Sequence, residues 1–254
     1  MQSKIKNHLI ALLPSKENRQ ANRLFQAQNL LPIYYYHIRK TGGTSIHYAF
    51  LSHSGAANLD DFYQKIAHKK NQRVIANDKI FVGWNKRLIE GGKYFYGFAH
   101  TPAHELRLPK NTFTFTCLRD PARRVISHYK MLSYYRKNNI AHPCMRVEGA
   151  WLGDSLDDFI KNMPKNHLMN QLYMFSKNYN VAEAEEKIRA CSTYFFTENI
   201  NEGMADLSAK LKLELALSHQ KKYDISIPIS ESQMAHLKEK LALEYRLLKQ
   251  LKKP

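Results

Sequence analysis

Short apolar blocks punctuate this chain, and their period changes at glycines and prolines. Ile33 to Ile38 is a run of aromatic and β-branched residues introduced by Pro32 and closed by Gly42-Gly43, flanks that predict a buried strand. Thr44 to Leu51 reads as the helix that follows. Further strands are predicted at Tyr94 to Phe98, after the Gly91-Gly92 turn, at Thr112 to Leu118, where threonine and phenylalanine alternate, and at Ser192 to Thr197. Asp120 before Pro121 marks a helix start, because the carboxylate can cap exposed amides and proline suits the first turn. Near the end, Ser230 and Gln233 form a capping-box pattern, and apolar Met234, Leu237, Leu241, Tyr245 and Leu248 predict a helix over 230–252.

Strands alternating with helices predict an α/β fold with a central, mainly parallel sheet flanked by helices. A length of 254 residues suits one domain over 1–254. Residues 1–30 are expected to be a helical extension, whose apolar patch, Leu9 to Leu13, reads as a short docking helix. The patch is too short to cross a membrane and lacks a small-residue cleavage site after it. Neither an internal repeat nor a low-complexity tract is present.

Charge narrows the partners. Lysine and arginine outnumber aspartate and glutamate by 39 to 22, for a formal charge of +17, so the surface attracts anions. Nucleic acid, polyanionic glycans, acidic membranes and phosphorylated small molecules all fit that field. The three cysteines, Cys117, Cys144 and Cys191, are odd in number, far apart and without metal-ligand spacing, which argues against a disulfide scaffold or structural zinc. A reducing, cytoplasmic setting is the expectation.

Two strand-to-helix junctions carry the chemistry, and in open α/β sheets ligands bind beyond the carboxyl ends of the strands. At the first, Gly42 and Gly43 let backbone approach an anion closely, the amides of Thr44 and Ser45 open a helix, and Lys40, Thr41, Thr44 and Ser45 add side-chain donors. Lysine precedes the glycines here, whereas the nucleoside-triphosphate loop needs it after them, which disfavours a nucleotide kinase. At the second, Arg119 ends a strand, and Ser127 lies about two turns into the next helix, on the side of Arg123. Arginine and serine brought together in this way suit a second, separate phosphate.

"HIRKTGGTSI" resembles the 5′-phosphosulfate loop of sulfotransferases that use 3′-phosphoadenosine 5′-phosphosulfate (PAPS), in the branch related to carbohydrate and heparan sulfate sulfotransferases. "CLRDPARRVISHY" resembles the 3′-phosphate segment of the same family, and weaker likenesses extend the match over about Ile33 to Leu248. Arg39 is a departure, since the family commonly has proline there. The resemblance implies sulfuryl transfer from PAPS to a hydroxyl, or less favourably an amine, of a carbohydrate or small-molecule acceptor, leaving 3′-phosphoadenosine 5′-phosphate (PAP). It assigns Lys40 to the bridging oxygen. Thr41, Gly42, Gly43, Thr44 and Ser45 go to the phosphosulfate, and Arg119 and Ser127 to the 3′-phosphate. His100, just after a predicted strand, is the expected base, with His104 its local rival. Asn170 and Gln171 are weaker candidates for acceptor or loop contacts, and Glu198 either orders the site or caps a segment. No metal, nucleic acid or membrane partner is expected, and the acceptor is expected to be anionic on the grounds of charge. The picture is of a cytoplasmic bacterial enzyme. The competing readings are a basic nucleic-acid binder and a nucleotide-binding protein without transfer activity.

Overall fold

The computed structural model describes residues 23–24, 31–68, 73–218, 223 and 225–252. Apart from Arg23 and Leu24, which are helical, the expected extension over 1–30 lies outside them. Six strands form one sheet: β1 (Ile33–Tyr36), β2 (Val74–Ala76), β3 (Lys79–Gly83), β4 (Tyr96–Ala99), β5 (Phe113–Leu118) and β6 (Thr193–Phe196), in the order β2-β3-β4-β1-β5-β6. The edge pair β2 and β3 is antiparallel, while β3 with β4 and β5 with β6 are parallel. Between β1 and β4 the bonds from Ile33 N–H to the Phe95 carbonyl and from His37 N–H to the Ala99 carbonyl advance together, as in a parallel pair. The fold is thus α/β with a mainly parallel sheet flanked by helices. Its switch point lies at β1, because the chain lays β2, β3 and β4 from the edge inward on one side of β1 and then β5 and β6 outward on the other.

Two compact units can be described. The described residues up to Tyr34, with those of Leu51–Phe98 and Leu108–Phe113, make up the first. Here helix α2 (Leu59–His68) buries Phe62 and Ile66, and the ring of Phe62 meets Phe81 edge-on at 5.2 Å. Its β2-β3 hairpin turns on Asn77 and Asp78, both at positive φ, the backbone that a two-residue hairpin loop demands. This hairpin is absent from the elements predicted above, although an Asn-Asp pair between two apolar runs is a turn signal. Helix α3 (Lys86–Glu90) follows it, with Asn85 as its cap.

The second unit contains Tyr35–Phe50, Ala99–Arg107 and Thr114–Pro254. Its helices are α1 (Gly43–Leu51, whose last residue falls in the other unit), α4 (Pro121–Lys137), α5 (Leu156–Asn162), α6 (Lys165–Leu168), α7 (Asn170–Phe175), α8 (Val181–Arg189), α9 (Ile200–Leu211), α10 (Glu231–Lys240) and α11 (Ala242–Leu251). A single apolar cluster joins Val125 and Leu132 of α4 to Phe159, Leu172, Ile188, Leu237 and Leu248. The helix expected over 230–252 is two helices, broken at Leu241, whose amide is shared between the Leu237 and Lys238 carbonyls. The break has a consequence for the site, since α11 carries Glu244 and Tyr245. Predicted strand ends shift by one or two residues, with β4 running Tyr96–Ala99 rather than Tyr94 to Phe98.

Candidate functional site

Adjacent strands β4, β1 and β5 end in His100, in the loop bearing Lys40, and in Arg119. The loop after β1 is held by its own chemistry. Thr41, fully buried, donates its hydroxyl to the Ile38 carbonyl at 2.9 Å and so closes the turn. Gly42 has φ +81°, a conformation that favours glycine. At Gly43 a Cβ would sit 1.9 Å from His37 Nε2, so only glycine lets α1 start where it does. Ser45 N–H and Ile46 N–H both donate to the Gly42 carbonyl, at 3.1 and 3.3 Å. The amides of Gly43 and Thr44 therefore form the positive end of α1, while that of Ser45 is already engaged.

Lys40 is half-buried, and its Nζ lies 3.4 Å from Met131 Sδ and 4.6 Å above the Tyr223 ring. Among the described residues no carboxylate pairs with it. Burial, then the guanidinium groups of Arg119 and Arg39, push its pKa down to about 8. It remains a cation at pH 7 but holds its proton less firmly than a surface lysine. Arg119 reaches back to the same loop: its Nη1 donates to the Lys40 carbonyl at 3.0 Å.

The turn after β5 is braced from distant parts of the chain. Gln171 clamps the Arg119 backbone on both sides, accepting from its N–H at 2.8 Å and donating to its carbonyl at 2.9 Å. Fully buried Glu244 accepts in turn from Gln171 N–H at 2.7 Å, from Leu172 N–H at 3.1 Å and from Gln171 Nε2 at 3.2 Å. Asp120 caps α4 by accepting from Arg123 N–H at 2.8 Å, its own amide donates to Glu198 at 3.0 Å, and Tyr245 donates its hydroxyl to the Asp120 carboxylate. Ser127 stands further along α4, half-buried, with no hydrogen bond among the described residues, and Arg123 is exposed.

On the other flank, His100 Nδ1 lies 2.6 Å from the His37 carbonyl. A carbonyl only accepts, so Nδ1 carries the proton and Nε2 of the neutral ring carries the lone pair. Burial, and after it Arg39, press the His100 pKa down to about 3, which keeps the ring neutral. His37 is itself buried, with its Nδ1 3.0 Å from His47 Nε2 and its ring stacked on Tyr35. His104 packs edge-on against Tyr173 at 5.2 Å and lies 3.9 Å from the Glu105 carboxylate. The structure thus brings Lys40, Arg119 and the loop glycines together, sets His100 against the base of the same loop, and buries Gln171 as a brace under Arg119. Asn170 touches the loop directly, its Oδ1 accepting from Arg39 N–H at 3.2 Å.

Sequence reasoning missed Glu148 and His128. Arg39 pairs its guanidinium with Glu148, whose other oxygen accepts from His128 Nε2 at 2.7 Å. Burial alone would raise the Glu148 pKa, but the His128 hydrogen bond and the Arg39 charge outweigh it and hold the carboxyl below its ordinary value. Glu148 follows a single exposed valine in a short irregular turn, so no periodicity announces it.

The family model for the sulfotransferase family matches residues 23–151, about half of the chain, and the protein belongs to that family. It is accordingly of the transferase class, and sulfate donors are the ligands that class implies. No curated protein matches the chain. Among the described residues no helix is long and apolar enough to cross a membrane.

Proposed function

We propose that the protein transfers a sulfuryl group from PAPS to a hydroxyl, or less favourably an amine, of a carbohydrate or small-molecule acceptor, by in-line displacement. The observation that carries this reading is the meeting of Lys40 and Arg119: a lysine on a glycine-paired helix start, and an arginine from the neighbouring strand bonded to that lysine's carbonyl. Two cationic junctions side by side suit a donor with phosphate groups at both ends. The first helical amides of α1, those of Gly43 and Thr44, add backbone donors of the kind that suit an anion.

PAPS, when bound, supplies the activated sulfuryl group and leaves as PAP. Lys40 offers its ammonium to the bridging oxygen, where negative charge grows in the transition state. Gly43 and Thr44 offer amides to the phosphosulfate, with the Thr44 and Ser45 hydroxyls beside them. Arg119 and Ser127 hold the 3′-phosphate. His100 accepts the acceptor's proton at Nε2, the ring being oriented by the His37 carbonyl. Its low pKa makes it a weak base that is always in the basic form, so positioning carries more of the rate than proton affinity does. The net charge of +17 favours an acceptor with anionic groups of its own.

Calorimetric titration with PAP, ATP and adenosine 5′-phosphate tests the reading. Binding that requires the 3′-phosphate and weakens about tenfold or more in Arg119→Ala is expected. Absence of PAP binding by the folded protein, or equal binding of ATP, overturns it, and salt-dependent oligonucleotide binding instead would point to a nucleic-acid binder. Labelled PAPS then screens neutral and anionic acceptors at low and high salt, where equal turnover of both kinds would reject the anionic acceptor.

A further inference from the structure

Lys40 is the residue of the loop whose backbone is hardest to hold. Its φ of +67° lies in the left-handed region, which costs a non-glycine residue about 1–2 kcal/mol and persists only where the surroundings enforce it. Arg119 holds the carbonyl of Lys40 and Thr41 closes the turn behind it, at 3.0 and 2.9 Å. The remaining constraint comes from Arg39, which is anchored twice. Its amide donates to Asn170 Oδ1 at 3.2 Å, and its guanidinium, with the side chain 25% exposed, pairs with Glu148, 6% exposed.

Glu148 is itself fixed. His128, almost fully buried, donates Nε2–H to it, and burial holds the ring neutral with a pKa of about 4. The charge of Glu148 therefore answers Arg39. The arrangement also accounts for the departure from the loops this one resembles. Proline restrains φ through its ring and has no N–H to give. Arginine has no such ring, but it offers an amide to α7 and a cation to a buried carboxylate.

We propose that Arg39, Glu148 and His128 form a tether that positions Lys40 for sulfuryl transfer, an inference that rests on the function proposed above. Glu148 and His128 act through Arg39 and the loop and are positioning residues. An isolated buried ion pair adds little net stability. Its attachment to the residue before Lys40 is what gives this one a role.

A double-mutant cycle on the full chain separates positioning from simple structural support. PAPS affinity and the release of labelled sulfate from PAPS are measured for wild type, Lys40→Ala, Glu148→Gln and the double variant, with PAP affinity as the control for an intact fold. Glu148→Gln should lower PAPS affinity and sulfate release about tenfold, leave PAP affinity within about threefold, and add almost nothing to Lys40→Ala. Arg39→Gln should behave like Glu148→Gln, and Arg39→Lys, which keeps the charge, should recover most of the loss. The same conclusions can be read from the Arg39 variants if Glu148→Gln does not fold. Effects that add to those of Lys40→Ala, PAP and PAPS binding that fall in parallel, or Glu148→Gln and Arg39→Gln behaving as wild type would each overturn the tether. Wild-type protein that does not bind PAP would instead overturn the function on which the tether depends.

Discussion

The loop after β1 and the turn after β5 present a cation from neighbouring strand ends, yet their backbones are held by different means. The glycine turn of the first is fixed within itself, since Thr41 bonds back three residues to Ile38, Gly42 takes a left-handed φ, and Gly43 rests against the ring of His37, while Arg39 and Lys40 beside it are held from Glu148, Asn170 and Arg119. The second has an N-cap of its own but is fixed mainly by Gln171, Glu198 and Tyr245, whose bonds span 52, 78 and 125 positions of sequence. The glycine turn of one junction is therefore a local motif, tied to distant residues at Arg39 and Lys40, whereas the backbone of the other is braced mainly from distant helices. The difference predicts distinct failures when each is damaged.

Gly43→Ala should have the largest effect. The new Cβ would lie 1.9 Å from His37 Nε2, and that ring cannot move freely because it stacks on Tyr35 and bonds to His47. A loss of about 3 kcal/mol or more is expected, with PAP binding abolished, as measured by thermal melting and calorimetry. Normal melting and normal affinity would show that the first junction is not locally fixed. Gln171→Leu attacks the second junction instead, leaving the Arg119 amide and carbonyl unpaired and removing a donor from buried Glu244. Stability should fall by about 2–4 kcal/mol and PAP affinity should fall with it. Arg119→Ala, by contrast, should lose affinity at nearly unchanged melting temperature. A Gln171→Leu protein that melts normally would remove the case for distant bracing.

That contrast also explains what the sequence could reveal. Lys40 lies beside the glycine pair, and Asp120 and Pro121 directly follow Arg119, so the chemistry of each junction is local and order and spacing disclose it. Glu244 and Tyr245 lie on an apolar-periodic helix, and nothing in its pattern shows that Leu241 breaks it so that α11 can serve the site. Glu148 is still less visible, a lone acid whose burial is decided by Arg39 and His128 from elsewhere in the chain. The β2-β3 hairpin is different, because its Asn77-Asp78 turn was local and readable. Local geometry is written in neighbouring residues, whereas bracing depends on which helix faces meet.

Acid should separate the junctions further. His37, His47 and His100 surround the first, and burial holds the pKa of each below the ordinary histidine value. Below pH 6.5 the unfolded chain binds protons that these folded rings refuse, so stability is present near pH 7 and is lost as the pH falls. Melting temperature measured across that range should therefore fall, and His47→Phe should flatten the slope. A profile that stays level to pH 5 would contradict the neutral histidine cluster.

The smallest effect expected is that of Ser127→Ala. This hydroxyl is half-buried on α4 and has no hydrogen bond among the described residues, so its removal should leave melting unchanged within about 0.5 kcal/mol. If Ser127 shares the 3′-phosphate with Arg119, one hydrogen bond to a charged group is lost on substitution, and PAP should bind about tenfold more weakly. Binding of adenosine 5′-phosphate, which lacks the 3′-phosphate, should not change. Because the distant braces of the turn remain intact in this variant, the affinity change reports recognition alone. Equal weakening of both nucleotides would mean that Ser127 supports α4 rather than the phosphate. Unchanged PAP affinity would leave Arg119 to hold the 3′-phosphate without help from α4.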